Sequence, residues 1–505
     1  MVVRKVEHLS LEERQARGKQ ARDQVGLSAH EGWAPAGDRP DPVKLLEEQN
    51  TTRDPDLVPV RHGRMMVSPF TFYRGSAKIM ATDLAGTPTA GLNVQLCGDA
   101  HLSNFGLFAS PERTLLFDVN DFDETLPGPF EYDVKRLAAS FTIAARNNGF
   151  TGAAAREVTM TCVAAYREAM AGFAAMRAMD LWYARLDEEE LDTAMRRAAK
   201  QVAKEHEAGP PAKGTKAAKG KKAAKGKKAA EAAEAAEAVK LAERGMKIAQ
   251  KAHTRDSLQA LAKLGEMADG RYRIVSMAPV VVPFRELHET YGVSPGELQD
   301  AISHQFREYR ASLQADRRQL LERFEIVDMA RKVVGVGSVG TRAFIALLQG
   351  RDAGDPLFLQ VKEATASVLE DHLPKSRYRQ PGERVVQGQR LMQASSDIFL
   401  GWSKGEQAGR YFYWRQLRDM KGSAEVETML PEGLAFYARI CGWTLARAHA
   451  RSGDVAAIAA YLGTSDRFDL SITDFSQRYA DQNEHDYQAF TDAVRTGQII
   501  ALEGV

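Results

Sequence analysis

Cysteine is scarce in this sequence of 505 residues: Cys97, Cys162 and Cys441 are its three, far apart and without metal-ligand spacing. That argues against a disulfide framework or a zinc site and makes a reducing cytoplasm the expected compartment. Net charge is lacking too. Lys and Arg total 68 against 67 Asp and Glu, a formal charge of +1, so no global field marks the chain as a binder of nucleic acid or anionic membrane. Long apolar runs are missing as well. No segment approaches the roughly 18 apolar residues of a membrane helix, and the opening MVVRKVEHLSLEERQARGKQ has no apolar secretory core. A soluble cytoplasmic protein is expected, with neither membrane nor nucleic acid as a regular partner.

Composition divides what is present. Residues 1–60 read as a peripheral helix and loop, and 61–207 as a lobe with short strands at 92–97, 105–108 and 114–119 followed by helix. Residues 208–238 form a Lys/Ala-rich low-complexity linker with eight lysines between Lys213 and Lys228. Mutual repulsion keeps such a stretch out of any core, although its lysines could contact polyanions. Helix is expected through 239–323, a β-sheet lobe with a glycine-rich loop and hinge over 324–422, and closing helices over 423–505.

The stretch from Phe324 to Glu363 reads as strand, glycine loop, strand, tight turn, strand. Its loop is Gly335-Val336-Gly337-Ser338-Val339-Gly340, whose glycines let backbone amides approach phosphate oxygens. A dinucleotide-binding loop opens a helix, whereas here TRAFIALL follows, a β-favouring run that makes the loop a hairpin. Lys362 ends the apolar strand LFLQV and lies 22 residues after Gly340, enough for one strand, a turn and the return. That spacing sets the lysine beneath the loop, where a kinase lysine contacts phosphates. A following helix should supply its acidic partner, either Glu370 or Glu383.

The early lobe carries the complementary groups. Gly98-Asp99-Ala100-His101-Leu102-Ser103-Asn104 follows a short strand, and Asn120-Asp121-Phe122-Asp123 ends another sixteen residues beyond Asn104. Phosphoryl transfer needs a carboxylate to orient and deprotonate a hydroxyl and oxygen ligands to hold Mg2+ against phosphates. Asp99 suits the first task, Asn104 and Asp121 the second.

CGDAHLSNFG, FDVNDFDET and PGPFEYDVKRLA together resemble the catalytic loop, metal-binding aspartate and succeeding helix of aminoglycoside and choline phosphotransferases, over about forty residues. The resemblance implies Asp99 as catalytic base, His101 as a loop-ordering residue, Asn104 and Asp121 as magnesium ligands assisted by Asp123, and Asp133 as a buried anchor. From the hairpin loop and the spacing of its lysine, Gly335, Gly337, Ser338, Gly340 and Lys362 are expected to hold ATP. With GRMMVSPFTFYRGSAKIMATDL, RVVQGQRLMQASSDIFLGW and YADQNEHDYQAF, the whole chain further resembles a bacterial group called domain-of-unknown-function family 2252. That label brings no substrate.

In kinases the glycine loop precedes the catalytic loop, and here the order is reversed. The expected fold is therefore α+β, bilobal and protein-kinase-like in circularly permuted order, with GRYFYWRQLRDMKG supplying the last sheet strand and the hinge. The expected reaction moves the γ-phosphoryl group of ATP, with Mg2+, to a small-molecule or protein hydroxyl. AMP transfer by the same residues, or a non-catalytic nucleotide sensor or scaffold, are the alternatives. Arg64 and Arg74 flank SPFTFY and either face the acceptor or its phosphate or serve packing and surface charge. His449, on an apolar helix, reads as structural.

Overall fold

The computed structural model describes residues 8–196, 247–268, 270–291, 294–333, 335–406, 409–417 and 419–504. The Lys/Ala-rich stretch at 208–238 lies outside them. Short apolar runs between turns become strands in the early lobe: β1 (Asn93–Leu96), β2 (Phe105–Ala109), β3 (Leu115–Val119) and β4 (Leu126–Pro129). β1 pairs with β4, and β2 with β3, both antiparallel, while the two-residue β5 (Leu186–Asp187) edges β3.

A helix, Phe130–Asn147, starts directly after β4, and nearly every residue along it is buried, from Phe130 to Ala145. It is a central helix rather than a surface one. Helices Gly152–Ala174, Pro431–Ala450 and Arg467–Arg495 pack around it, so helices from the end of the chain pack with those of its first third. The contact between Gly152–Ala174 and Pro431–Ala450 is close at Gly442, where an added Cβ would stand 2.2 Å from the Cys162 carbonyl oxygen.

The later part of the chain forms a sheet with two covered faces. After the hairpin of β6 (Gly265–Ala268) and β7 (Arg271–Ile274), β8 (Val281–Pro283) joins β9 (Glu325–Lys332), β10 (Ala343–Gln349), β11 (Pro356–Glu363), β12 (Gly401–Lys404) and β13 (Tyr411–Gln416). The six are antiparallel in the order β12-β13-β11-β10-β9-β8. Helix was expected over 239–323, yet β6 to β8 arise there. The valine run ending in Pro283 and the aromatic and β-branched residues of RYRI favour extended chain over helix, whereas Phe284–Tyr291 and Pro295–Ser312 are helical as expected.

Side-chain alternation sorts the sheet. Leu357, Leu359 and Val361 pack with Phe412 and Trp414 beneath Tyr309 of helix Pro295–Ser312. Phe358, Ile345 and Leu347 face the other way, onto Ala260, Leu261 and Leu264 of helix Ser257–Leu264. Two and four residues beyond Phe358, Gln360 and Lys362 lie on that same second face. Lys362 thus emerges where the covering helix no longer reaches, towards the early lobe. Among the described residues no helix is long and apolar enough to cross a membrane.

Two glycine substitutions should differ in sign. Gly442→Ala drives a Cβ into a carbonyl and should destabilise by about 1–3 kcal/mol. Gly172→Ala, in open space on the helix Gly152–Ala174, should stabilise by about 0.5–1 kcal/mol. Thermal melts that shift both variants the same way would refute the close helix contact.

Candidate functional site

The loop after β1 is shaped by the helix that follows β4. Gly98 adopts φ +85, and an added Cβ there would meet the Glu124 carbonyl at 2.2 Å, so only glycine lets the 98 and 124 loops touch. Asp133 accepts hydrogen bonds from the Cys97 and Gly98 amides at 2.7 and 3.0 Å. Its other partner is His449, whose Nε2 lies 3.2 Å away while Nδ1 meets the Tyr166 hydroxyl at 2.9 Å. His449 is thus tied into the core on both nitrogens. Arg136, one helical turn after Asp133, holds the Asp99 carboxylate with Nε and Nη2 at 2.9 and 2.7 Å from Oδ1. His101 Nε2 lies 3.7 Å from Asp99 Oδ2. Burial raises the Asp99 carboxyl above its usual range; Arg136 offsets part of this, and the nearby Asp121 and Asp133 add to it.

Two backbone-level contacts bring the second acidic loop to the first. The Asn120 amide donates to the Asn104 carbonyl at 2.8 Å, and the Asn104 side-chain amide donates to the Asp99 carbonyl at 2.8 Å. Asp99, Asn104 and Asp121 therefore share one edge of the early lobe.

Against that edge stands the late sheet. Lys362 Nζ is 2.7 Å from Asp123 Oδ2 and 3.5 Å from both Asp121 carboxylate oxygens. Tyr413, the cross-strand neighbour of Lys362 in the β11–β13 register, donates its hydroxyl to Asp123 Oδ1 at 2.6 Å. Ser338, in the glycine-rich loop between β9 and β10, places Oγ 3.5 Å from Asp123 Oδ2. The glycine loop, the strand lysine and the acidic pair meet in one place although they lie more than two hundred residues apart in the chain.

Glu370 and Glu383, the expected partners of Lys362, are not at it. Glu370 caps the Ser367 turn and lies 4.0 Å from Arg384, and Glu383 sits in the first turn of the helix Pro381–Met392. Arg384 from that helix instead donates to the carbonyls of Asp123, Thr125 and Thr365. The helix thus docks on the backbone of the acidic loop, leaving the carboxylates of that loop for the lysine.

The amino-terminal region fixes the glycine loop from its far side. Arg64 donates to the Gly335 carbonyl at 2.7 Å, Arg53 to that of Val339, and the Asp54 amide to that of Gly340 at 2.7 Å. The Arg74 carbonyl lies against Gly337, 3.1 Å from where its Cβ would be. Positive φ at Gly335 and Gly340 (+54 and +86) turns the loop.

The charges at this contact perturb one another. Burial alone would raise the Asp121 carboxyl, but Lys362, Arg415 and Lys421 outweigh it and hold it below the usual carboxylate range. Burial alone would lower the Lys362 ammonium, yet Asp121 and Asp123 keep it charged. Arg415 donates to Gln360 at 3.1 Å and to the Asn120 carbonyl at 2.9 Å. Arg136, Arg384, Tyr413, Arg415 and Lys421 escaped the sequence reading. Two carried a usable signal: Arg136 follows Asp133 by one helical turn, and Arg415 follows Tyr413 by one strand period.

Mg2+ fits the donor set. Asn104, Asp121 and Asp123 offer one amide and two carboxylate groups, and Mg2+ is commonly held by one or two carboxylates together with substrate phosphates. No group of three or more His, Cys, Asp or Glu able to hold a metal occurs among the described residues, so a cage closed by such side chains alone is not preformed there.

Lys421 gives this cleft a pH signature. Burial, followed by the charge of Arg415, lowers its ammonium from 10.5 to about 7. From about 7 to 10.5 the unfolded chain therefore holds a proton that the folded chain has released, and the lysine's contribution to stability rises with pH across that window. The penalty is full below it and gone above it. Chemical denaturation across this pH range should show a wild-type stability that climbs relative to Lys421→Met; parallel profiles would contradict the assignment.

A family model described as "Uncharacterized protein conserved in bacteria (DUF2252)" matches residues 53–230 and 212–493. No curated protein and no solved structure matches the chain.

Proposed function

We propose a function from the site itself, because the chain belongs to the DUF2252 family and that family's description carries no activity. The reading is an ATP- and Mg2+-dependent phosphotransferase that moves the γ-phosphoryl group to a hydroxyl of a small molecule or protein. One observation carries it: Lys362 meets Asp123 and Asp121, 239 and 241 positions earlier in the chain, with Ser338 of the glycine loop beside them. The fold reading that accompanies it is a two-lobed, protein-kinase-like arrangement in permuted order. It is supported by an antiparallel sheet with a glycine hairpin between β9 and β10 and the lysine on β11, opposed to Asp-bearing loops on a helical lobe.

Each residue has a task in this reading. Amides of the loop from Gly335 to Gly340 and the ammonium of Lys362 bind the phosphates of ATP. Asn104 and Asp121, with Asp123, would hold Mg2+, which when bound spreads the charge of the phosphate oxygens. Asp99 orients the acceptor hydroxyl and takes its proton. Arg136 fixes the Asp99 carboxylate through Oδ1 and leaves Oδ2, which has His101 at 3.7 Å, for that hydroxyl. The hydroxyl oxygen then bonds to the γ-phosphorus as the bond to the bridging oxygen of ADP breaks, and ADP leaves with that electron pair.

Turnover of ATP, read as ADP release or autophosphorylation, should fall by about 10²–10⁴-fold in Asp99→Asn. Lys362→Met should weaken binding of the non-hydrolysable analogue AMP-PNP with Mg2+, measured as lost thermal stabilisation. Equal turnover in wild type and Asp99→Asn would remove the base. Absence of stabilisation at millimolar nucleotide would end the reading, and pyrophosphate as product would replace phosphoryl transfer with AMP transfer.

A further inference from the structure

We propose that the acceptor carries an anionic group and that the guanidinium of Arg74 receives it. The inference rests on the phosphotransfer reading and adds the substrate class. Arg74 belongs to the short helix Pro69–Gly75, and its guanidinium stands 6.0 Å from the ring centre of Phe70. Its Nε is buried without a hydrogen-bond partner among the described residues. Burial lowers its pKa, and the opposing charges it feels are those of Glu427 and then Asp99. Neither forms an ion pair with it: Glu427 is exposed, and Asp99 is already held by Arg136 at 2.7 Å.

Position decides what the group would meet. The Arg74 carbonyl packs against Gly337 at the tip of the glycine loop, and the Arg74 charge is felt by both Asp99 and His101. The glycine loop and the catalytic base bracket the phosphoryl group in transfer. With its backbone at that loop and its charge acting on Asp99, Arg74 is assigned to the acceptor side, while the strand lysine Lys362 and the loop amides serve the nucleotide.

The nearby carboxylates are already engaged: Arg136 holds Asp99, and Lys362 holds Asp121 and Asp123. A buried Nε–H without an acceptor is unfavourable in the free protein, and a bound phosphate or carboxylate would relieve it through paired N–H donors.

The probe is inorganic phosphate, titrated at constant ionic strength into protein saturated with AMP-PNP and Mg2+, with thermal stability as readout. Phosphate should stabilise the wild type further; Arg74→Gln should weaken this response about tenfold or more, and Arg74→Lys should restore part of it. AMP-PNP affinity should stay within about twofold in both variants. An equal phosphate response in Arg74→Gln, or none in the wild type, overturns the proposal. So does a parallel loss of AMP-PNP affinity, which would assign Arg74 to the nucleotide. If AMP-PNP with Mg2+ fails to bind at all, the nucleotide reading falls separately, and phosphate titration of the nucleotide-free protein decides the Arg74 site with the same variants.

Discussion

Lys362 is a buried cation whose ion-pair partners among the described residues, Asp121 and Asp123, lie 241 and 239 positions earlier in the chain, and that constraint organises the molecule. Its ammonium sits among Asp121, Asp123 and the Tyr413 ring. An unpaired ammonium in this position would lose its charge or stay in water. The sheet keeps Lys362 charged by docking against the loop that follows β3, and this docking brings the glycine loop to the acidic loop.

Buried arginines and a glutamine add to this contact, beside the apolar packing of Val385, Val386 and Met392 into the main core. Arg384 satisfies carbonyls of the acidic loop from the sheet side, and Gln393 reaches the Val119 carbonyl at 2.7 Å. Arg447 holds Asp118 at 2.5 and 2.6 Å from the helix Pro431–Ala450, while the Ala394 amide donates to the same carboxylate at 2.8 Å. Asp118 thus joins β3, the carboxy-terminal helices and the segment after Pro381–Met392. Such pairs add little net stability compared with apolar packing, but removing one partner typically costs about 3–5 kcal/mol.

Local patterns in the chain carried the strands and the chemistry-bearing loops. The runs around 92–97, 105–108 and 114–119 appear as β1, β2 and β3, and the glycine loop lies between two strands as its β-favouring flank suggests. The meeting of Lys362 with Asp121 and Asp123 was expected as a shared cleft, and the contacts are present. The partner of Lys362 was less legible. A search downstream of the lysine finds Glu370 and Glu383, but the carboxylate that reaches it is set by docking between segments 239 positions apart. Lys421 was equally hidden, since its perturbation comes from burial and from Arg415 and Lys362 across the fold. The strands β6 to β8 were obscured by the helix-rich composition on either side of them.

The claim on which the account stands is that the late strand lysine and the early acidic loop serve one ligand site. A double-mutant cycle on AMP-PNP binding with Mg2+ tests it most directly, using Lys362→Met, Asp123→Asn and the pair. A shared site predicts a coupling of about 1 kcal/mol or more. Additivity within about 0.3–0.5 kcal/mol, the behaviour of independent positions, would contradict it.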